Sequence, residues 1–117
     1  MDSSDTEAVI ARERAATASR AAALARQVAE LAEVQAHTTH DDEHDPEGVT
    51  VAYERAHLQG LLAGARREIE ALDRAADRLE AGTYGRCRTC GEPIGPERLD
   101  ALPSAETCIA CAPRRRR

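Results

Sequence analysis

The fold is decided by a C-terminal stretch that reads CRTCGEPIGPERLDALPSAETCIAC over residues 87–111. Its two CxxC pairs, seventeen residues apart, are formed by Cys87, Cys90, Cys108 and Cys111. A CxxC turn places two thiolates on one side of a tight loop, and Gly91 lets the backbone turn back after the second sulfur. This spacing falls in the range expected for a four-cysteine zinc site. We therefore predict one structural Zn²⁺ on these cysteines, which leave no open position for catalysis.

The cellular compartment bears on whether these thiols bind metal or form disulfides. The chain starts with MDSSD over residues 1–5, which is acidic and polar, the opposite of a signal peptide. No apolar run approaches the length that a membrane span needs. We therefore expect a cytoplasmic protein with no membrane partner. In the cytosol, four cysteines are metal ligands more often than disulfides.

Composition indicates thin helical packing. The 117 residues suffice for one small domain, with 16 basic side chains, all Arg, against 21 acidic ones, a net charge of −5. Tyr53 and Tyr84 are the only aromatic residues, whereas alanine occurs 24 times. A thick hydrophobic core normally contains several large rings. The chain therefore favours close helix-on-helix contact and a mostly α fold.

The first predicted helix covers residues 4–36. Ser4 and Glu7 fit a capping box, in which each side chain satisfies the other residue's backbone N–H group. Apolar residues recur at alternate steps of four and three, most regularly from Ala21 to Leu31. This period is typical of a coiled coil.

The second predicted helix begins near Asp45, a residue suited to capping, and Pro46, which suits the first helical position. It ends at Gly82, a natural helix stop. Its apolar seam is cleaner than that of the first helix. The predicted seam positions are Val51, Arg55, Leu58, Leu62, Ala65, Ile69, Leu72, Ala76 and Leu79.

Two consecutive helices with matching seams and a short link at residues 37–45 are expected to form an antiparallel hairpin. Residues 27–54 contain eight acids and no Arg, so the tip of this hairpin is strongly negative. The predicted organisation is a coiled-coil hairpin over residues 1–82 with an acidic tip near 37–47. A four-cysteine finger follows over 83–112, and an Arg-rich tail occupies 113–117.

The finger resembles a known family in many positions besides its cysteines. Residues 84–103 read YGRCxxCGxxIxxxRLxAxP, and CxxC follows over 108–111. This pattern is similar to the zinc finger of the DksA/TraR transcription regulators. The resemblance implies a protein that binds RNA polymerase without sequence-specific DNA recognition. Its hairpin is then expected to enter the secondary channel, with the tip carboxylates near the catalytic Mg²⁺ and the finger outside at the channel rim.

The resemblance also suggests which residues contact the polymerase. Well-studied members carry DxxDxA at the tip, and this chain offers Asp42, Asp45 and Glu47, with Glu in place of Ala. Arg98 falls on an Arg position of the family's finger motif. It is either a contact residue for the polymerase or a local ion-pair partner of Glu97 or Asp100.

Guanosine tetraphosphate is a second partner for some members of this family. Responsive members present basic side chains on the second helix and around the finger. The corresponding places here hold Ala71, Leu102 and Ala112, with Arg66 and Arg67 near the first of them. These substitutions weigh against binding of the nucleotide by this chain.

Two other functional classes stay open. One is a zinc-ribbon nucleic-acid-binding protein that uses the finger and the Arg tail, although a net charge of −5 opposes it. The other is a coiled-coil adaptor whose seams pair between two chains, whereas the hairpin interpretation predicts a monomer. An enzyme has no support, because no nucleophile–base pair, open metal site or phosphate loop is apparent.

Two measurements separate these alternatives. A nucleic-acid-binding protein binds duplex DNA with an affinity that falls steeply with salt, whereas the polymerase-binding interpretation predicts no such binding. Molecular mass in solution distinguishes the monomer from the paired adaptor.

Overall fold

Two long helices and one short helix make up the regular structure of the residues that can be described. A computed structural model describes residues 3–38 and 46–112 of the chain. Helix α1 is Ser3–Thr38, helix α2 is Pro46–Ala81 and helix α3 is Pro96–Ala101. Within those described ranges no β-strand occurs, and a single isolated bridge joins Arg86 and Pro93. The mostly α fold class predicted from sequence is therefore confirmed.

The predicted start is confirmed for α2 and differs from the structure for α1. Pro46 is the first residue of α2, where its fixed φ angle and missing N–H group are tolerated. Helix α1 begins at Ser3, so Ser4 is already helical, and the prediction that Ser4 is its N-cap is wrong. Asp45, the predicted cap of α2, lies outside the described residues.

Gly82 ends α2 as predicted. Its φ of +80° is a left-handed backbone conformation, which residues other than glycine adopt only at a cost in free energy. The Gly82 N–H group donates to the Leu79 carbonyl at 3.2 Å, and the Thr83 N–H group donates to the Arg78 carbonyl at 2.8 Å. This Schellman arrangement satisfies two of the carbonyls that a helix end leaves free.

Contacts divide the chain into two compact units, each with segments of both long helices. The first unit comprises Met1–Ala16 and Glu68–Arg117, and the second comprises Thr17–Arg67. These units follow spatial contacts rather than chain order. The division predicted from sequence, into residues 1–82, 83–112 and 113–117, stays a prediction.

The core of the first unit is small. Ile10 of α1 packs with Leu72 and Ala75 of α2, and the half-buried Leu79 and Tyr84 pack against this cluster. Leu72 and Ala75 are fully buried. Alanine at this contact lets the two helix backbones approach closely. The core is therefore filled by close backbone packing and not by large aromatic side chains.

The two helix segments of the first unit run antiparallel. Ser3 and Thr6 lie across a cavity of about 230 Å³ from Leu79. Further along α1, Arg14 pairs with Asp73, earlier in α2, with a Nε to Oδ1 distance of 2.6 Å. The hydrogen bond from Arg14 lowers the pKa of the Asp73 carboxyl. Because both side chains are exposed, the pair contributes orientation more than stability.

The second unit is also held by a narrow seam. Ala21 of α1 and Leu62 and Ala65 of α2 are buried there. Arg55 of α2 donates from Nη1 to the Gln35 side-chain oxygen of α1 at 3.0 Å. Arg55 stands at a predicted seam position, so this polar contact takes the place of an apolar one near the start of α2.

One predicted seam position is wrong. The alternating steps placed Ala76 on the buried face, but Ala75 is buried and Ala76 is exposed. Leu72 and Leu79 are seven residues apart. A step of three from Leu72 leads to Ala75 and a step of four leads to Ala76, and both orders of steps end at Leu79. The contact of Ala75 with Ile10 decides between the two.

No helix in the described part of the chain is long and apolar enough to cross a membrane.

Replacement of the central core residue tests this thin packing. We expect Leu72→Ala to lower the free energy of unfolding by about 2–5 kcal/mol, because it empties a fully buried site. Leu61→Ala, in the same helix but 48% exposed, is the matched control and is expected to change stability by roughly 0.5 kcal/mol or less. Denaturant unfolding of the zinc-loaded protein measures both. Equal losses for the two variants would contradict the assigned core.

Candidate metal centre

The four cysteines predicted to bind metal lie together in the structure. Their sulfur atoms all lie within 4.8 Å of one another, and the Cys90 and Cys108 sulfurs are 3.8 Å apart. Four sulfurs about 2.3 Å from a tetrahedral Zn²⁺ are about 3.8 Å from each other. The donor set therefore fits one structural zinc ion by both its chemistry and its dimensions.

The first CxxC turn is built from backbone hydrogen bonds. The Gly91 N–H group donates to the Cys87 carbonyl at 2.9 Å, and the Cys87 N–H group donates to the Glu92 carbonyl at 2.9 Å. Gly91 has a φ of +79°, which gives the reversal predicted for it after the second sulfur. The Thr89 N–H group points to the Cys87 sulfur at 3.4 Å. The turn thus presents its sulfurs on one side and directs an amide at one of them.

The second CxxC turn is also closed by backbone hydrogen bonds. The N–H groups of Cys111 and Ala112 both donate to the Cys108 carbonyl, at 3.1 and 3.0 Å. Cys111 is buried with Cys87 and Ile94 in a small cluster. One cysteine of each pair therefore lies in the finger's own core, which leaves the sulfurs little freedom to separate.

The surroundings of the thiols shift the pKa values of Cys87 and Cys111 in opposite directions. Burial raises the pKa of Cys87, but hydrogen bonds from the N–H groups of Cys90, Cys108 and Thr89 outweigh it and lower that pKa to about 6. The hydrogen bond with Cys108, together with burial, raises the pKa of Cys111 to about 12. Four thiolates at these distances repel one another unless a cation lies among them. The cluster therefore suits a divalent, thiophilic metal.

A buried segment between the two pairs joins the finger to α2. We call residues 103–107 the strap, and all five of its residues are buried. The Tyr84 hydroxyl donates to the Pro103 carbonyl at 2.8 Å. The Ser104 hydroxyl donates to the Glu68 carboxylate of α2 at 2.8 Å. The strap satisfies its polar groups through partners on other segments, as a buried chain must.

Glu106 is the central residue of this attachment. Its side chain is 7% exposed, and its carboxylate accepts hydrogen bonds from Arg74 of α2 at 2.9 Å and from Arg88 of the first CxxC turn at 2.5 Å. Burial raises the pKa of this carboxyl, but the hydrogen bonds from the two arginines outweigh it and lower the pKa overall. The charge therefore stays on the carboxylate, where it is fully paired.

Sequence reasoning missed Glu106 and its partners. The cysteine spacing and the family pattern assign no role to Glu106 or to Arg88. The available signal was an Arg inside the first pair, Arg88, and a Glu two residues before the second. That signal becomes informative only once the two pairs are known to meet.

Arg98 has a partner that the sequence did not suggest. Its Nε donates to the Thr107 carbonyl in the strap at 2.9 Å. Across the described ranges, no ion pair joins it to Glu97 or Asp100, so the predicted local pairing is wrong. Its other predicted role, as a polymerase contact, stays a prediction.

The predicted tip residues are not brought into this centre. Asp42 and Asp45 lie outside the described residues, as does the Arg-rich tail at 113–117. Glu47 lies in the first turn of α2. The role of all three acids at the tip therefore stays a prediction.

Comparison with known proteins identifies relatives of the finger. Residues 82–117 match a family described as the prokaryotic dksA/traR C4-type zinc finger. The RNA polymerase-binding transcription factor DksA of Caulobacter vibrioides is 42% identical over 52 residues, which cover 44% of this chain and 37% of that protein. The protein of the same name in Escherichia coli is 37% identical over 46 residues, which cover 39% of this chain and 30% of that protein. The matches thus span about a third of the length of these curated relatives.

A solved structure extends the likeness to the long helices. The transcription factor DksA2 from Pseudomonas aeruginosa superposes with a TM-score of 0.76 at 26% sequence identity. The superposition covers 97% of this chain and 82% of that protein. The likeness therefore includes the helices as well as the cysteine-bearing segment.

Metal analysis tests the centre directly. We expect one zinc ion per chain, and we expect Cys111→Ser to lose it, because a hydroxyl is a poor ligand for Zn²⁺ in a thiolate site. Thr89→Ser is the matched control, since it changes an exposed side chain within the first CxxC turn. Native mass spectrometry gives the stoichiometry. Retention of zinc by the Cys111 variant with wild-type affinity would contradict the assignment of Cys111 as a ligand.

Proposed function

We propose that this chain, whose C-terminal residues match the dksA/traR C4-type zinc finger, is a DksA-like protein that binds RNA polymerase and regulates transcription. The observation that carries the proposal is the combination of a matching finger with a likeness to DksA2 over 97% of the chain. A closed four-sulfur site adds to it, because such a site supplies structure rather than catalysis. The proposed role is therefore that of a regulator and not of an enzyme.

The proposed zinc ligands are Cys87, Cys90, Cys108 and Cys111. Metal binding to such a site contributes folding free energy on the order of 10 kcal/mol. The finger needs that contribution, since its own core contains only a few apolar side chains around Ile94. Through the strap, the metal then keeps the finger attached to α2.

We propose that the hairpin enters the secondary channel of the polymerase, with the finger at the rim. Helices α1 and α2 have 36 residues each, so each is about 54 Å long. The seam of small residues keeps paired helices slim, which suits a narrow channel. The acidic segment between the helices would be attracted by a basic, Mg²⁺-containing site.

Asp42, Asp45 and Glu47 are the proposed tip residues that act near the polymerase active site. Their acidic character matches the family's tip, while Glu47 departs from the usual Ala. Binding and regulatory output are therefore separable in this proposal: the helices and finger supply binding, and the tip supplies the effect on transcription.

A binding and transcription assay tests this division. Zinc-loaded protein is mixed with core RNA polymerase from its host, and the triple variant Asp42→Ala/Asp45→Ala/Glu47→Ala is compared with wild type. We expect both to bind, with affinities that differ less than about tenfold. We expect only wild type to change the output of promoters that it regulates, since the variant lacks the tip carboxylates.

The control variant carries the same charge change at exposed helical positions of the first unit, namely Glu7→Ala/Glu70→Ala/Asp77→Ala. It is expected to keep both binding and regulation. Equal loss of regulation in the two triple variants would show that net charge, and not the tip, determines the effect. Failure of wild type to bind core polymerase would refute the proposal and favour the nucleic-acid-binding or adaptor function.

A further inference from the structure

The two CxxC turns of the zinc site belong to separate parts of the chain, and a metal-free finger needs another contact to keep them together. We propose that Glu106 is a positioning residue for the metal centre, which acts through Arg88 to hold the two turns in register before zinc binds. The proposal rests on the four-cysteine site and is independent of polymerase binding.

Glu106 contacts Arg88 through two separate groups. The Arg88 backbone N–H group donates to the Glu106 carbonyl at 2.9 Å, and the Arg88 Nη1 donates to Glu106 Oε1 at 2.5 Å. Arg88 stands between Cys87 and Cys90, and Glu106 stands two residues before Cys108. Two hydrogen bonds between these residues fix both the spacing and the relative rotation of the turns.

The second carboxylate oxygen keeps Glu106 itself in place. Arg74 of α2 donates to Oε2 from Nε at 3.1 Å and from Nη2 at 2.9 Å. A carboxylate that is 7% exposed cannot swing to water, and both of its oxygens are engaged. The rotamer that reaches Arg88 is therefore selected by the contact with α2.

The position of Arg88 affects the positions of the sulfur ligands in the same turn. The amide that points at the Cys87 sulfur belongs to Thr89, the residue after Arg88. A shift of Arg88 would move this N–H group and the Cys90 sulfur together. Residues that orient metal ligands without touching the metal typically contribute 10–100-fold to metal affinity.

Zinc affinity of the full-length protein, measured by competition with a chromophoric chelator, tests the role of Glu106. We expect Glu106→Gln and Arg88→Ala each to weaken Zn²⁺ binding by about 10-fold or more. The double variant should bind zinc no more weakly than the weaker-binding single variant, because each change removes the charged hydrogen bond between Glu106 and Arg88. Arg88→Lys should restore most of the affinity, since Arg88 uses one guanidinium nitrogen in this contact.

Co²⁺ substitution separates positioning from ligation. The visible absorption of bound Co²⁺ reports the number and geometry of the sulfur ligands. We expect Glu106→Gln to show the wild-type spectrum at saturation, reached at higher Co²⁺ concentration. A changed spectrum at saturation would overturn the proposal, because it would mean that the final geometry, and not only its formation, requires Glu106.

Two further variants serve as controls. Glu97→Gln removes an exposed carboxylate of α3 and should bind zinc like wild type. Arg74→Ala removes the contact that selects the Glu106 rotamer but leaves both groups of Arg88 able to bond to Glu106, so it should weaken zinc binding less than Arg88→Ala does. Equal losses for these two arginine variants would overturn the proposal, since Glu106 would then act only by attaching the finger to α2.

The outcomes distinguish this proposal from the zinc site on which it rests. If wild type binds no zinc, the four-cysteine site is refuted. If wild type binds one zinc ion and Glu106→Gln binds it as tightly as Glu97→Gln, the site stands and the role of Glu106 is refuted. Should Glu106→Gln fail to fold, the comparison of Arg88→Ala with Arg88→Lys decides the question, because both leave the buried carboxylate unchanged.

Discussion

Four sulfur atoms within 4.8 Å of one another impose the strongest constraint on this structure. Thiolates at such distances repel, so the finger is stable in this form only with a cation that balances their charge. The surrounding backbone is arranged to accept that cation, with the Gly91 reversal in the first turn and the Cys108 carbonyl accepting two N–H groups in the second. The small cluster around Ile94 could not maintain this geometry by hydrophobic burial alone.

The attachment of the finger to the helices is polar where a larger protein would use apolar packing. The strap, residues 103–107, is buried, yet its contacts are hydrogen bonds to Glu68, Arg74, Arg78, Tyr84 and Arg98. Glu106 combines contacts to α2 and to the first cysteine turn in one carboxylate. Polar contacts of this kind are directional, so they specify one orientation of the finger segments in the first unit, whereas a thin alanine-rich interface allows several.

A closed metal site and slim helices are consistent with a protein that acts by occupying a space on another macromolecule. A site with four sulfur ligands leaves no coordination position for a substrate or a water molecule. In the proposed function, the helices and the finger supply binding, and the predicted acidic tip supplies the effect on transcription. The predicted tip departs from the family's pattern at Glu47, whereas the cysteine spacing follows that pattern.

The sequence by itself determined the features that depend on neighbours in the chain. The CxxC spacing predicted the metal centre, Gly82 and Pro46 predicted an end and a start of α2, and the seams predicted the long helices. Only the tertiary structure decided that Ala75 rather than Ala76 is buried, since both fit the helical period and the contact with Ile10 selects one. It alone revealed Glu106, whose partners lie 18 and 32 residues away. Local patterns contain no information about which distant charges meet, because that depends on how the metal and the strap bring the chain together.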